Sequence, residues 1–359
     1  MCLSSTSRNI RPHVNTANRQ STSLAYLRLI RVWNLPTAIA DVYAGFVLAS
    51  LVPVAAGPAT AGVAAAGVAA VRLPLALVVS ALIYSAGMAW NDILDLGRDR
   101  TLHADRPLPS GAVRKGTAML AASLMMVLGL LLAGRLGTHC FMLAVVLAVL
   151  TFAYNARLKH KGFTGCANMG ACRFFNMWLG IAAGGGALAG LWLFPATLGL
   201  YVCAVTLVSL QEEAHSTRKE FLAVASLAAA SLLPLAIFCV TGSGGFLSPA
   251  ALVPLSVLAA WIMLAAASAA RVVDGRSIGS LVRTCLRGII LLDSSMLMAA
   301  GKRTEALLCL LLIVPSLMLA RSVVRRPGAQ ASAISGVGSA PGSLPDSASE
   351  NVPPASPSA

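Results

Sequence analysis

Long apolar stretches separated by short polar ones occupy most of the chain between residues 24 and 321. The apolar windows fall at about 24–51, 74–90, 117–134, 138–154, 168–189, 192–210, 221–241, 250–270 and 304–321. Each is near the roughly 20 residues that a helix needs to cross a bilayer. A shorter window at 286–300 carries Asp293 and reads either as a crossing or as a partial, interfacial helix. The pattern predicts an all-α polytopic membrane protein, a bundle of about nine transmembrane helices, with ten as the alternative. Strands of an outer-membrane barrel would alternate over segments of about ten residues, whereas these runs are continuous. Residues 1–23 form a polar tail rich in Ser, Asn and Arg. Residues 322–359 are dominated by Ser, Pro, Gly and Ala and are expected to be disordered, since they cannot bury a core.

Composition excludes an ordinary soluble fold. The 359 residues are 57% hydrophobic and 11% charged, with mean hydropathy +0.78, whereas a soluble domain carries about 25% charged residues. The net charge of +14, from 27 basic and 13 acidic residues, would suggest nucleic acid in a soluble chain. Here most basic residues lie in the N-terminal segment and around 91–116, 155–167, 211–220 and 271–303, which the span count places on one face. That is a positive-inside bias. It makes these loops cytosolic and implies no nucleic-acid partner. The expected site is a bacterial inner membrane. An organellar membrane is the alternative, because the acid-free tail also fits a transit peptide. Eight cysteines, none in a Cys-x-x-Cys, sit mostly inside apolar runs and read as small hydrophobes rather than disulfides or zinc ligands.

The acids are less evenly spread than the bases. Asp92, Asp95, Asp99 and Asp105 lie in one segment, and Glu212, Glu213 and Glu220 in another. Both follow apolar windows on the same face. Carboxylates at a membrane helix end are costly unless paired, hydrated or bound to a cation. Two such clusters among basic residues fit a divalent-metal and polyphosphate site, because carboxylates hold Mg²⁺ and substrate phosphates complete its shell. On a helix Asp92, Asp95 and Asp99 fall within about 60° of one another, with Asn91 beside them, so one stripe presents three carboxylates and an amide.

The run Asn91-Asp92-Ile93-Leu94-Asp95-Leu96-Gly97-Arg98-Asp99-Arg100, continued by Asp105-Arg106-Pro107-Leu108-Pro109-Ser110-Gly111, resembles the first aspartate-rich motif of the UbiA prenyltransferase family. The segment Tyr154-Asn155-Ala156-Arg157-Leu158-Lys159-His160-Lys161 is similar to the family's Tyr-x-x-x-x-Lys segment, whose basic residue contacts diphosphate. The resemblance implies a membrane helical bundle that transfers a prenyl group from a prenyl diphosphate to an acceptor, with Mg²⁺. It implies metal ligation by Asp92, Asp95 and Asp99, and a diphosphate site of Asn91, Arg106, Arg157, Lys159 and Lys161. Arg100 joins the three aspartates as a catalytic candidate that neutralises the leaving group. The second motif departs from the family. Where an aspartate-rich loop is expected, residues 209–220 hold Glu212, Glu213 and Glu220 and no aspartate, as in a divergent, EboC-like member. Glu212 and Glu213, together with Glu220, are candidate replacement ligands; a single metal is the alternative.

Polar groups inside a span usually face the bundle interior. Asn168, Arg173 and Asn176, with Tyr84 and Tyr154, are therefore candidates for the acceptor or prenyl pocket. Helix–helix hydrogen bonding is the competing reading for the asparagines. Trp90, Phe152, Phe174 and Phe175 offer aromatic faces to an allylic cation, though packing explains them too. The implied partners are a prenyl diphosphate, a lipid-soluble or amphipathic acceptor and membrane lipids. The acceptor is open: an aromatic compound or a polyol lipid. The competing functional classes are a prenyl-lipid-binding protein without catalysis and a multi-pass transporter.

Overall fold

A computed structural model describes residues 22–52, 63–212, 217–241 and 248–324. The two tails of the sequence reading, apart from residues 22–23 and 322–324, and the candidate ligand Glu213 lie outside the described residues. The described chain is helical, with no strand among those residues. Its helices are α1 (Thr22–Leu29), α2 (Leu35–Leu48), α3 (Val63–Leu94), α4 (Leu96–Leu102), α5 (Lys115–Leu136), α6 (Thr138–Ala156) and α7 (Phe163–Ala183). They are followed by α8 (Leu193–Leu210), α9 (Arg218–Ala230), α10 (Leu233–Thr241), α11 (Leu252–Ala269), α12 (Gly275–Ala299), α13 (Arg303–Leu311) and α14 (Ile313–Val324).

Among the described residues, eight helical rods are long and apolar enough to cross a membrane. In two of them one α-helix gives way to the next: α9 to α10 just before Pro234, and α13 to α14 just before Pro315. Proline has no N–H to continue the ladder, and neighbouring helices tolerate the break. α7 and α12, with 21 and 25 residues, are also of spanning length. Polar residues lower the hydropathy of both; Asn168 and Asn176 of α7 and Asp293, Ser294 and Ser295 of α12 are buried in the bundle, whereas Arg276 and Arg283 of α12 are exposed. The window at 286–300 is thus the second half of α12, a helix that starts eleven residues earlier.

Close approach of small residues holds the bundle together, since lipid supplies no hydrophobic drive between helices. A Cβ at Gly45 of α2 would collide with the Met177 carbonyl of α7, and one at Gly180 of α7 with the Val42 carbonyl of α2. Gly170 of α7 and Gly199 of α8 meet in the same way. α5 and α6 are joined by Gly137 alone, at φ +120°, a conformation that needs a residue without Cβ. At that end Arg72 of α3 donates to the carbonyls of Ala183 (2.7 Å) and Leu136 (3.0 Å). Those groups lie at helix C-termini and have no partner in their own helix. At the opposite end Asp274 caps α12 by accepting from the Ser277 N–H at 2.8 Å. Hydrogen bonds from Ser277 hold its carboxyl below the usual range.

Candidate active site

The acid stripe occupies the end of α3 and the short helix α4 that follows. Its three carboxylates are each held by a cation from a different part of the chain. Arg31 Nη2 donates to Asp92 Oδ1 at 2.9 Å. Arg106 Nη1 donates to Asp99 Oδ2 at 2.7 Å and lies 3.9 Å from Asp92 Oδ1. Lys159 Nζ pairs with Asp95 Oδ1. Asn91 Nδ2 approaches Asp92 Oδ1 at 3.3 Å. Asp92 and Asp99 are buried. Three like charges along one stripe would repel, and the three cations interleaved among them remove that repulsion.

Local structure explains each position. Asp95 sits at the junction of α3 and α4, so the helix axis breaks between Asp92 and Asp99 and both reach Arg106. The Pro-rich loop after α4 brings Arg106 back onto the stripe. Arg31 stands between α1 and a short 3₁₀ turn in the left-handed region (φ 48°, ψ 51°). That backbone costs a non-glycine residue about 1 kcal/mol or more, and it is held where the side chain reaches Asp92.

Beneath the stripe lies a cavity of about 100 Å³ between α2, α3, α6 and α7. Tyr84, Tyr154, Arg173 and Asn176 line it, together with Ser80 and Asn155. The Tyr84 hydroxyl is 3.5 Å from the Arg31 carbonyl and so links the cavity wall to the cation that holds Asp92. A second cavity, about 280 Å³ and mainly apolar, lies beside Trp90, Met126, Val127 and Phe152. Thr151 and Asn155 line both cavities. Trp90 and Phe152 meet edge to face at 6.4 Å.

The structure thus brings together Asn91, Asp92, Asp95, Asp99, Arg106 and Lys159, and below them Tyr84, Tyr154, Arg173 and Asn176. Arg100, Arg157 and Lys161 are exposed and make no ion pair with the stripe among the described residues. Arg100 points away because Asp99, one residue earlier on α4, takes the buried face. Asn168 donates to the Leu150 carbonyl at 2.9 Å, which ties α7 to α6 and realises the helix–helix reading for that residue. Phe174 and Phe175 pack around Trp178.

In the second loop Glu220 is committed locally. Its Oε2 accepts from the Thr217 N–H at 2.9 Å, and the Thr217 hydroxyl accepts from the Glu220 N–H, a capping box at the start of α9. Glu212 is exposed and lies against the first turns of α12, near Gly275 and Gly279. Two residues escaped the sequence reading. Arg31 carries no signal beyond being basic near a membrane face. Asp41 is the lone acid of the apolar window at 24–51, a signal the sequence carries, and the structure buries it at the middle of α2.

Among the described residues no group of three or more His, Cys, Asp or Glu side chains is gathered around one point. Mg²⁺ does not need such a group, because it is held by one or two carboxylates, several waters and substrate phosphates. The hard oxygen donors Asp92, Asp95 and Asp99 match that chemistry.

These features define a multi-pass membrane protein with a cation-bridged carboxylate stripe over an intramembrane cavity. The chain matches the UbiA prenyltransferase family over residues 50–281 and belongs to it. Three similar relatives are digeranylgeranylglyceryl phosphate synthases. That of Sulfurisphaera tokodaii is 27% identical over 39% of this chain and 46% of its own length. That of Sulfolobus acidocaldarius is 27% identical over 51% and 60%. That of Ignicoccus hospitalis is 36% identical over 39% and 41%. The chain therefore spans about half the length of the curated relatives it matches. The fold is similar to that of a solved digeranylgeranylglyceryl phosphate synthase, with TM-score 0.56 and 18% identity over 78% of this chain and 99% of the other. An apo UbiA homolog from Aeropyrum pernix gives TM-score 0.56 and 19% identity over 74% and 97%.

Proposed function

We propose that the protein is an intramembrane prenyltransferase that moves a prenyl group from a prenyl diphosphate to a lipid-soluble acceptor. The observation that carries this reading is the stripe itself. Three carboxylates and three cations stand beside a cavity enclosed by the apolar helices α2, α3, α6 and α7. A prenyl diphosphate has the same polarity, a compact polyanion joined to an apolar tail. Arg31, Arg106 and Lys159 meet the diphosphate with fixed charge, and charge-assisted hydrogen bonds to phosphate are among the strong ones. Asp92, Asp95 and Asp99 would hold Mg²⁺, which supplies charge neutralisation on the departing diphosphate. The apolar cavity at Trp90 and Phe152 takes the prenyl chain and keeps water from the allylic carbon. Tyr84, Tyr154, Arg173 and Asn176 offer the acceptor its polar contacts.

A glycerol-based phospholipid precursor is the acceptor class that the relatives support. The concentration of basic residues in these loops supports a cytosolic stripe in a bacterial inner membrane. The test is transfer by the purified protein in lipid nanodiscs, with geranylgeranyl diphosphate, Mg²⁺ and either a monoprenyl glyceryl phosphate or 4-hydroxybenzoate. The expected product is the diprenyl glyceryl lipid, detected by mass spectrometry. Binding of the diphosphate without release of inorganic diphosphate would contradict the reading and indicate a prenyl-lipid carrier.

A further inference from the structure

One set of buried polar groups takes no part in the stripe. Asp41, at the middle of α2, and Asp293, in the second half of α12, are both fully buried. Arg173 Nη1 donates to Asp41 Oδ2 at 2.9 Å, and its Nη2 donates to the Thr37 hydroxyl at 2.9 Å. Asn176 Nδ2 donates to the same Asp41 oxygen at 2.9 Å, while Asn176 Oδ1 accepts from the Ser80 hydroxyl at 2.8 Å. Arg173, Asn176 and Ser80 line the polar cavity. The two aspartates are not among its lining and stand behind them. Their carboxyls face each other within hydrogen-bond reach. Yet Asp41 Oδ1 and both oxygens of Asp293 accept no hydrogen bond from the described residues.

Charge decides what this arrangement needs. Two carboxylates and one guanidinium leave a net negative charge inside the bundle, where an uncompensated ion is costly. Of the other titratable groups nearby, the Cys309 thiol on α13 lies within electrostatic range of the acid pair and the Tyr84 hydroxyl on α3 within range of Arg173. Neither brings positive charge. One proton held between the carboxyls cancels the excess and supplies a donor to oxygens that otherwise have none.

We propose that Asp293 is a neutral carboxylic acid hydrogen-bonded to Asp41, and that the pair positions Arg173 to recognise the polar end of the acceptor. Two of the guanidinium's five N–H groups are fixed by Asp41 and Thr37, and its remaining donors are left for the cavity. Asp41 and Asp293 are positioning residues that act through Arg173. The acceptor part rests on the prenyltransferase reading; the protonation part does not.

The test uses the full-length protein in nanodiscs. Infrared spectra at neutral pH should show a protonated-carboxyl C=O band that shifts in D₂O and is lost in Asp293→Asn. Absence of that band, with or without sodium salts, overturns the shared proton and indicates a bound cation. In the transfer assay with monoprenyl glyceryl phosphate, Asp293→Leu should raise the acceptor KM about tenfold and leave the donor KM within about twofold. Asp293→Asn keeps an N–H donor and no charge, and it should recover most of the acceptor KM. Equal effects on donor and acceptor, or no difference between Leu and Asn, would overturn the positioning role. If the unaltered protein transfers no prenyl group, the prenyltransferase reading fails and the infrared band still decides the state of the pair.

Discussion

Replacing Arg106 by alanine separates the structural from the chemical work of the stripe. Arg106 is the group that reaches two of the acids, at 2.7 Å from Asp99 and 3.9 Å from Asp92. Asp92 keeps Arg31, but Asp99 loses its ion-pair partner. The Asp99 side chain is 4% exposed and that of Arg106 30%. Breaking a fully buried pair costs about 3–5 kcal/mol, and an exposed one about 0–1 kcal/mol. The half-open geometry here places the folding cost at about 1–2 kcal/mol. For transfer, the variant loses one hydrogen bond from a charged donor to the diphosphate, about 1.5–3 kcal/mol. At about 1.4 kcal/mol per tenfold, kcat/KM for the prenyl diphosphate should fall roughly 10- to 100-fold. Arg106→Lys should recover part of this, because it restores charge without the fork. The assay is initial-rate release of inorganic diphosphate in nanodiscs, beside thermal unfolding of the same samples. Arg106→Ala with kcat/KM within twofold of the unaltered protein would refute the role assigned to the cation-bridged stripe.

Three further outcomes follow from the geometry. Asn168→Ala removes the α7–α6 hydrogen bond; thermal stability should drop by about 1 kcal/mol with turnover retained, and lost turnover would return Asn168 to the cavity. Gly180→Leu should overpack the α2–α7 contact at the Val42 carbonyl and destabilise by about 1–3 kcal/mol, measured as aggregation temperature in detergent; an unchanged value would mean that the helices are not in close contact there. Glu220→Gln should weaken the capping box of α9 and leave the Mg²⁺ titration of transfer unchanged, whereas Glu212→Gln combined with Glu213→Gln should shift it.

The bundle was legible wherever apolar runs were uninterrupted. The windows at 117–134, 138–154 and 192–210 lie within a few residues of α5, α6 and α8. The structure departs from the hydropathy pattern where helix ends are set by backbone chemistry or by polar residues. The window at 168–189 ran past the end of α7, because the glycines at 184–186 look apolar but form the turn, with Gly185 at φ +78°. The first half of α12 escaped because Arg276, Arg283 and Arg287 break the hydropathy of a helix that is nonetheless continuous. Within the site, Asp92, Asp95, Asp99, Arg106 and Lys159 were legible from spacing and from family resemblance. Which cation pairs with which acid was not, since Arg31 and Asp92 lie 61 residues apart. The pairing of Asp41 with Arg173 was equally hidden: 132 residues separate them, and neither helix repeats a pattern that points to the other.

The central claim is that the carboxylate stripe drives transfer of a prenyl group. Its most direct test compares the unaltered protein with Asp92→Ala and Asp95→Ala, purified in nanodiscs with geranylgeranyl diphosphate, Mg²⁺ and a monoprenyl glyceryl phosphate, and follows prenylated product by mass spectrometry. The account predicts Mg²⁺-dependent product from the unaltered protein and loss of at least 100-fold in each variant, with both variants still folded in the membrane. Near-normal product from both variants would contradict it.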